Sequence, residues 1–321
     1  MPYSFENEEH AAIREQIRAW AAAEIRPEAH RWEEAGEFPV ALYRRAAEVG
    51  LLGLGYPEAL GGVGGDVTHA LAGWEEVILA GHSVGTCVGL GTLGISVPPI
   101  LGFGTEEQKE RFVRPVLEGR SIAALAVTEP GGGSDVAALA TRAVRDGDDY
   151  LVTGSKTFIT SATRADLFTT AVRTGGAGHD GISMLLIERE TPGLTVSPRF
   201  DKMGWWASDT AEVTFENCRV PVAHRIGEEN GGFRISMANF AEERLLLASQ
   251  CVAIAALALS EATTIAEITP ISVLQGVNSS ARAREILKLY SVDDDQRRRD
   301  KLIRLTRQDG RYIAEAIRES L

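Results

Sequence analysis

The sequence predicts an α+β fold: an N-terminal helical domain over 1–119, a central antiparallel, barrel-like β domain over 120–229 and a C-terminal helical domain over 230–321. Three observations carry the prediction. Apolar residues recur at helical spacing up to about residue 118, the period becomes two from about Ser121, and the helical pattern returns from Gly231. Strands that follow one another without intervening helices favour antiparallel pairing over βαβ units. At 321 residues the chain has room for two or three domains.

The first helical stretch, HAAIREQIRAWAAAEIRPEAHRWEEAG, is rich in Ala, Glu and Arg and sets Ile13, Ile17, Trp20 and Ala21 on one face. PVALYRRAAEVGLLGL and ALAGWEEVILA follow as helices, and GYPEALGGVGGD between them is a loop by its glycines and proline. In TEEQKERFVRPVLEG, Thr105 is the N-cap, acids fill the first turn, and Arg114 and Gly119 mark the end. SIAALAVT, DDYLVTGSKTFIT, FTTAVRT, GISMLLIE, GLTVSPR and AEVTFENCRVP read as strands separated by turns of Gly, Asp and Pro. GGFRISMANFAEERLLLASQCVAIAALALSEATTIA then reads as helix. Its apolar run at 245–259, broken by Ser249 and Gln250 and too short to cross a bilayer, reads as a buried helix.

A net charge of −12 argues against nucleic acid and anionic membranes as partners. Cys87, Cys218 and Cys251 lie far apart, without metal-ligand spacing or a disulfide framework, and suit a reducing cytoplasm. The acidic start MPYSFENEEH has no apolar core and does not read as a signal peptide. Charge is uneven: residues 271–321 carry eleven Lys/Arg against eight Asp/Glu, whereas the first 270 carry 22 against 37. That tail reads either as a solvated helix pair or as a surface docking on a partner subunit. GLGTLG (89–94) has the G-x-G-x-x-G spacing but sits inside the helical region, and reads as small residues where helices pack closely.

Three stretches can carry chemistry. In AVTEPGGGSD a strand ends at Val127-Thr128, Pro130 denies it a further ladder bond, and Gly131 to Gly133 with Ser134 offer backbone N–H groups and a hydroxyl. That set suits phosphate oxygens, and equally a plain glycine turn. In GSKTFITSAT, Phe158, Ile159 and Thr160 put a ring and a hydroxyl at a strand end, fit for a flat heterocycle or merely for a strand. In ANFAEERLLLASQ, Glu243 stands at the head of a helix that is apolar all round. A partly desolvated carboxylate there is a good proton acceptor, while a surface ion pair is the plainer role. The six histidines show no metal spacing, and neither a G-x-S-x-G elbow nor a P-loop is present.

Together, AVTEPGGGSD, GSKTFIT, DKMGWWASDTAEVTFENCRVP and GEENGGF resemble, in order, the signatures of the acyl-CoA dehydrogenase family, over roughly residues 5–262. KMGWWASDTAE and EERLLLA are similar to the isovaleryl- and long-chain-type subset. The resemblance implies a helical domain, a β domain and a C-terminal four-helix bundle. It implies an FAD enzyme that removes the α-proton of an acyl-CoA thioester with a carboxylate while the β-hydride moves to flavin N5. An electron-transfer flavoprotein is the implied acceptor, and a homo-oligomer or a related subunit the implied assembly.

By position, Leu125, Val127 and Thr128 would line the flavin, Thr128 bonding its pyrimidine ring. Gly133 and Ser134 would meet phosphates of FAD or CoA. Phe158, Ile159 and Thr160 would lie on the other side of the isoalloxazine, and Phe240 and Arg244 near the acyl-CoA. In the isovaleryl- and long-chain-type subset the base lies on the helix carrying ERL, which makes Glu243 the base here. No metal is implied, the location expected is cytoplasmic, and the acyl group expected is medium, long or branched. After about Ala262 the pattern departs from the family's, so the C-terminal bundle is expected to be incomplete with an atypical tail from about 263. Two alternatives accompany this reading: a non-catalytic or partner-dependent subunit of the same fold, and a dehydrogenase acting on an acyl-carrier-protein thioester.

Overall fold

The computed structural model describes residues 3–268. The atypical tail expected from about 263 lies, from residue 269 onward, outside the described residues. Residues up to Ile254 form one compact unit, and a second begins at Ala255. Of that second unit the described part is the last stretch of one helix.

Helices fill the chain as far as Leu117. α1 (Glu8–Glu24), α2 (Ala29–Ala35), α3 (Ala41–Glu48) and α4 (Val67–Gly81) come first. Ile17 and Ala21 of the apolar face read from the sequence are buried as α1 packs along α4. Both helices start with the same device. Asn7 and Asp66 each accept N–H bonds from the first turn, and His10 and His69, three residues on, accept the cap residue's own N–H. The two imidazoles stack at 4.2 Å, so these histidines, silent in the sequence, join two helix starts.

The short helices α5 (Val84–Leu90), α6 (Leu93–Ser96) and α7 (Pro98–Phe103) follow. GLGTLG spans their junction, and a Cβ on Gly89 would lie 2.5 Å from the Phe38 ring, a contact only glycine permits. Thr105 caps α8 (Glu106–Gln108) in a capping box with Gln108, and a π-helical stretch, Lys109–Val113, leads into α9 (Arg114–Leu117).

The β region holds β1 (Ala123–Ala126), β2 (Arg142–Asp146), β3 (Asp149–Thr160), β4 (Leu167–Arg173), β5 (Ile182–Glu188), β6 (Leu194–Val196), β7 (Thr210–Pro221) and β8 (Arg225–Ile226). They form one sheet in the order β6-β7-β3-β2-β4-β5-β8, with β1 joined to β4. Two expectations are corrected. The sheet is open rather than barrel-like, because the end strands β6 and β8 do not pair with each other. It is also not wholly antiparallel. β1 runs parallel to β4, since the β2–β3 hairpin lies between them in the chain and returns β4 in β1's direction. β2 and β8 are strands the sequence pattern did not reveal. Tyr150, Phe168 and Phe215 are fully buried members of the core.

α10 (Gly232–Ile268) closes the described chain. Its run at 245–259 is not the buried helix expected. Ser249 and Ala253 are buried, while Leu245, Leu247 and Val252 are exposed, because as far as Ile254 only one face of the helix packs on the rest of its own unit. Among the described residues, two stretches, 84–103 and 232–263, are long and apolar enough by length and composition to cross a membrane. The first is mostly buried, and the second carries Glu242, Glu243 and Arg244.

Candidate active site

The ends of β1 and β3 meet at the edge of the sheet. β2 pairs with β3 only as far as Thr153. Beyond it, the chain leaving β1 comes alongside, and the Thr157 N–H donates to the Thr128 carbonyl at 2.9 Å. β3 carries a bulge between Lys156 and Ile159. Phe158 sits in that bulge with φ of 58° and is 68% exposed, its ring edge-on to that of Phe200 at 5.7 Å. A bulky side chain in the left-handed region is strained, and such residues gather at functional sites.

Past Thr128 the chain turns tightly, the Glu129 and Gly132 backbones bonding each other at 3.0 and 3.1 Å. Gly131 and Gly132 face open space, while a Cβ on Gly133 would come within 2.9 Å of Thr128 Cγ2. Of the three glycines, Gly133 is the one that packing demands.

α10 supplies the third wall. Met237, Phe240 and Arg244 recur at helical spacing, with Glu243 beside them. The segments enclose a cavity of about 450 Å³ that brings together Leu125, Val127, Thr128, Gly133, Ser134, Phe158, Ile159, Thr160, Phe240, Glu243 and Arg244. Every site residue expected from sequence lines it. Ile95, Val136 and Met237 line it too and were missed. They carry no local signal, being ordinary apolar residues that the fold happens to bring there.

Glu243 is half-buried, and its Oε2 is buried with no hydrogen-bond partner among the described residues. Burial raises its pKa, against a smaller opposing pull from the Arg244 guanidinium. Lys156, two positions before Phe158 on β3, is wholly buried, and its ammonium bonds Glu129 Oε1 at 2.7 Å. Burial pushes the lysine down to about 8 against the attraction of Glu129. The same burial pushes the Glu129 carboxyl up, but Lys156 and the bonds from Thr141 and Ala140 outweigh it and hold it below the usual range.

The residues present suit a flavin. Among the described residues no side-chain hydrogen bond engages the hydroxyls of Thr128, Ser134 or Thr160, an exposed ring stands at the rim, and an unpartnered carboxylate faces the same space. The fold and this cavity fit a flavin-dependent oxidoreductase.

Comparison with known proteins gives the family. Residues 7–120 match the model of the acyl-CoA dehydrogenase N-terminal domain, and residues 124–218 that of the middle domain. An acyl-CoA dehydrogenase of Bacillus subtilis is 36% identical over 277 residues, 84% of this chain and 73% of the relative. A long-chain specific acyl-CoA dehydrogenase of Rattus norvegicus is 38% identical over 250 residues, 76% of this chain and 57% of the relative. The crystal structure of a probable acyl-CoA dehydrogenase from Mycobacterium abscessus superposes with a TM-score of 0.80 at 49% identity, over 81% of this chain and 69% of that one. The chain belongs to the acyl-CoA dehydrogenase family, FAD flavoproteins that oxidise CH–CH bonds.

Proposed function

We propose that this chain catalyses α,β-dehydrogenation of an acyl-CoA thioester, with Glu243 as the base and an acyl group that is medium, long or branched. The observation that carries the reading is the convergence of the Thr128, Phe158–Thr160 and Glu243 segments on one cavity. FAD, when bound, would supply the acceptor for the hydride, with its two electrons, that leaves the β-carbon.

The chain's own residues do the rest. Thr128, Gly133, Ser134 and Phe158 to Thr160 would hold and orient the flavin through hydroxyl, backbone and ring contacts. Phe240 and Ile95 exclude water from the acyl group. Glu243 Oε2 takes the α-proton, and burial suits it to that task because nothing donates a bond that would stabilise its charge. Arg244 moderates the burial penalty and stands where it can meet the thioester's polar groups. An electron-transfer flavoprotein is the electron acceptor in this reading, and a homo-oligomer or a pairing with a related subunit the assembly. Cytoplasmic location completes this reading.

The test is an absorption spectrum of the purified chain with FAD, before and after a panel of thioesters is added anaerobically. A bound flavin that bleaches with acyl-CoA is expected. A flavin left oxidised by every acyl-CoA overturns the reading, and bleaching by acyl-carrier-protein thioesters alone reassigns the carrier.

A further inference from the structure

The chemistry above leaves Glu129 and Lys156 without a role. Both are buried, and both lie at the seam between the two strand ends that wall the cavity. The Lys156 ammonium donates to Glu129 Oε1 at 2.7 Å and to the Val127 carbonyl at 3.0 Å. The Glu129 carboxylate accepts two further bonds, from Ala140 N–H at 2.6 Å and Thr141 N–H at 2.9 Å. Thr141 in turn donates from its hydroxyl to the Ser155 carbonyl at 3.3 Å. One ion pair thus ties the end of β1, the glycine turn, the chain entering β2 and the bulged end of β3.

We infer that the Glu129–Lys156 pair is the positioning clamp of the flavin cavity, fixing the 128–134 turn and the 156–160 bulge in the relative placement a flat cofactor needs. The inference rests on the flavin reading above. Three observations carry it. First, the seam has little else: β2 has left β3 by Thr153, and the Thr157–Thr128 bond is the backbone link across the gap. Second, Lys156 pairs with Val213 as the last regular partner before the bulge, and Ile159 resumes pairing with Ala211. The clamp therefore grips the residue from which Phe158 is swung out. A left-handed phenylalanine persists only where its surroundings over-determine it. Third, a buried ion pair is a poor device for stability alone, since apolar residues of similar volume often stabilise as well or better. Apolar residues could not hold Val127, Ala140 and Thr141 together, whereas this pair does.

The full chain with Lys156→Met is the first test, read in three ways. In the ligand-free protein, hydrogen exchange in segments 128–134 and 154–160 is expected to quicken by about tenfold or more while α1 and α4 keep their protection. FAD is expected to bind about tenfold or more weakly, and the visible circular dichroism of whatever flavin binds should change shape. Adding Glu129→Gln removes the stranded charge, and should restore much of the thermal stability but not the flavin dichroism.

Where Lys156→Met does not fold, Glu129→Gln alone serves, with the same direction expected in all three measurements. A variant that melts lower yet keeps wild-type FAD affinity, dichroism and exchange overturns the clamp and leaves an ordinary core ion pair. A wild-type chain that binds no FAD overturns the flavin reading itself, and then exchange in the ligand-free variant still tells whether the pair fixes the seam.

Discussion

Replacing Glu243 by Gln separates the chemistry of this site from its stability, because the two should move in opposite directions. The amide has the carboxylate's shape, and Oε2 has no donor in the structure, so the swap strands no partner. Activity should suffer. A positioned general base contributes about 10²–10⁴-fold, equivalent to roughly 3–5 kcal/mol of transition-state stabilisation at about 1.4 kcal/mol per decade.

Stability should not suffer. Glu243 has a folded pKa raised by burial. Its contribution is therefore intact below the unfolded value and lost as pH rises through the folded one, so the charged carboxylate costs stability at neutral pH. The Gln variant should thus be as stable as wild type or more so near neutrality, and that advantage should vanish in acid. The assay is anaerobic rapid mixing of FAD-loaded protein with acyl-CoA, following flavin absorbance, beside urea melts at neutral and acid pH. Wild-type reduction should slow as pH falls through the raised pKa, and the residual rate of the variant should not follow that titration. Bleaching that slows less than about tenfold, below the range for a general base, would refute the assignment of Glu243.

Other substitutions probe the walls. Phe158→Gly relieves a left-handed φ worth about 1–2 kcal/mol and loses an edge contact with Phe200 worth about 0.5–1.5 kcal/mol, so stability by melting should change by no more than about 1.5 kcal/mol while FAD affinity falls. Gly133→Ala puts a Cβ 2.9 Å from Thr128 Cγ2 and, at an overpacking cost of about 1–3 kcal/mol, should weaken flavin binding in titration more than it lowers the melting temperature. Phe168→Ala empties a fully buried position on β4 and should cost about 3–5 kcal/mol in urea melts. Arg164→Met strands Asp209, whose Oδ1 lies 2.7 Å from the Arg164 guanidinium, and should cost about 3–5 kcal/mol by the same measurement.

The parts of the site that the sequence discloses are those where chemistry demands unusual residues at short range. The Thr-Glu-Pro-Gly-Gly-Gly-Ser turn, the Phe-Ile-Thr strand end and the Glu-Glu-Arg helix are each dense in such residues, and all three converge on the cavity. What stayed hidden depends on long-range geometry. β1 reads as a strand from its alternation, but nothing in Ala123–Ala126 announces that it pairs parallel to β4. Glu129 and Lys156 lie within the recognised stretches, yet their contact spans 27 positions of chain and local spacing cannot reveal it. A lysine on the same alternating face of β3 as Tyr150 and Val152 is the one signal that could have exposed it. The His10 and His69 caps follow Asn7 and Asp66 by three residues, a spacing legible as a capping box once histidine is allowed as the reciprocal partner.

The placement of Glu243 rather than Glu242 in the cavity raises a physical question, because α10 is apolar around most of its circumference and such a helix has little preferred rotation about its axis. One residue of slip turns a helix by roughly 100° and would exchange the two carboxylates. The small polar side chains on its inner face supply what hydrophobicity cannot. Ser236 donates to Met184 Sδ of β5 at 3.6 Å. Asn239 donates to the Ile95 carbonyl at 2.9 Å, and Ser249 donates to Glu75 Oε1 at 2.7 Å. Gly232 adds a steric stop, since a Cβ there would meet the Ser183 backbone at 2.6 Å. Apolar burial can be satisfied at many rotations, whereas these directional bonds are satisfied at one. The serines that interrupt the apolar run of this helix are thus part of what aims its carboxylate, and the Asn239–Ile95 bond binds that aim directly to a residue of the cavity wall.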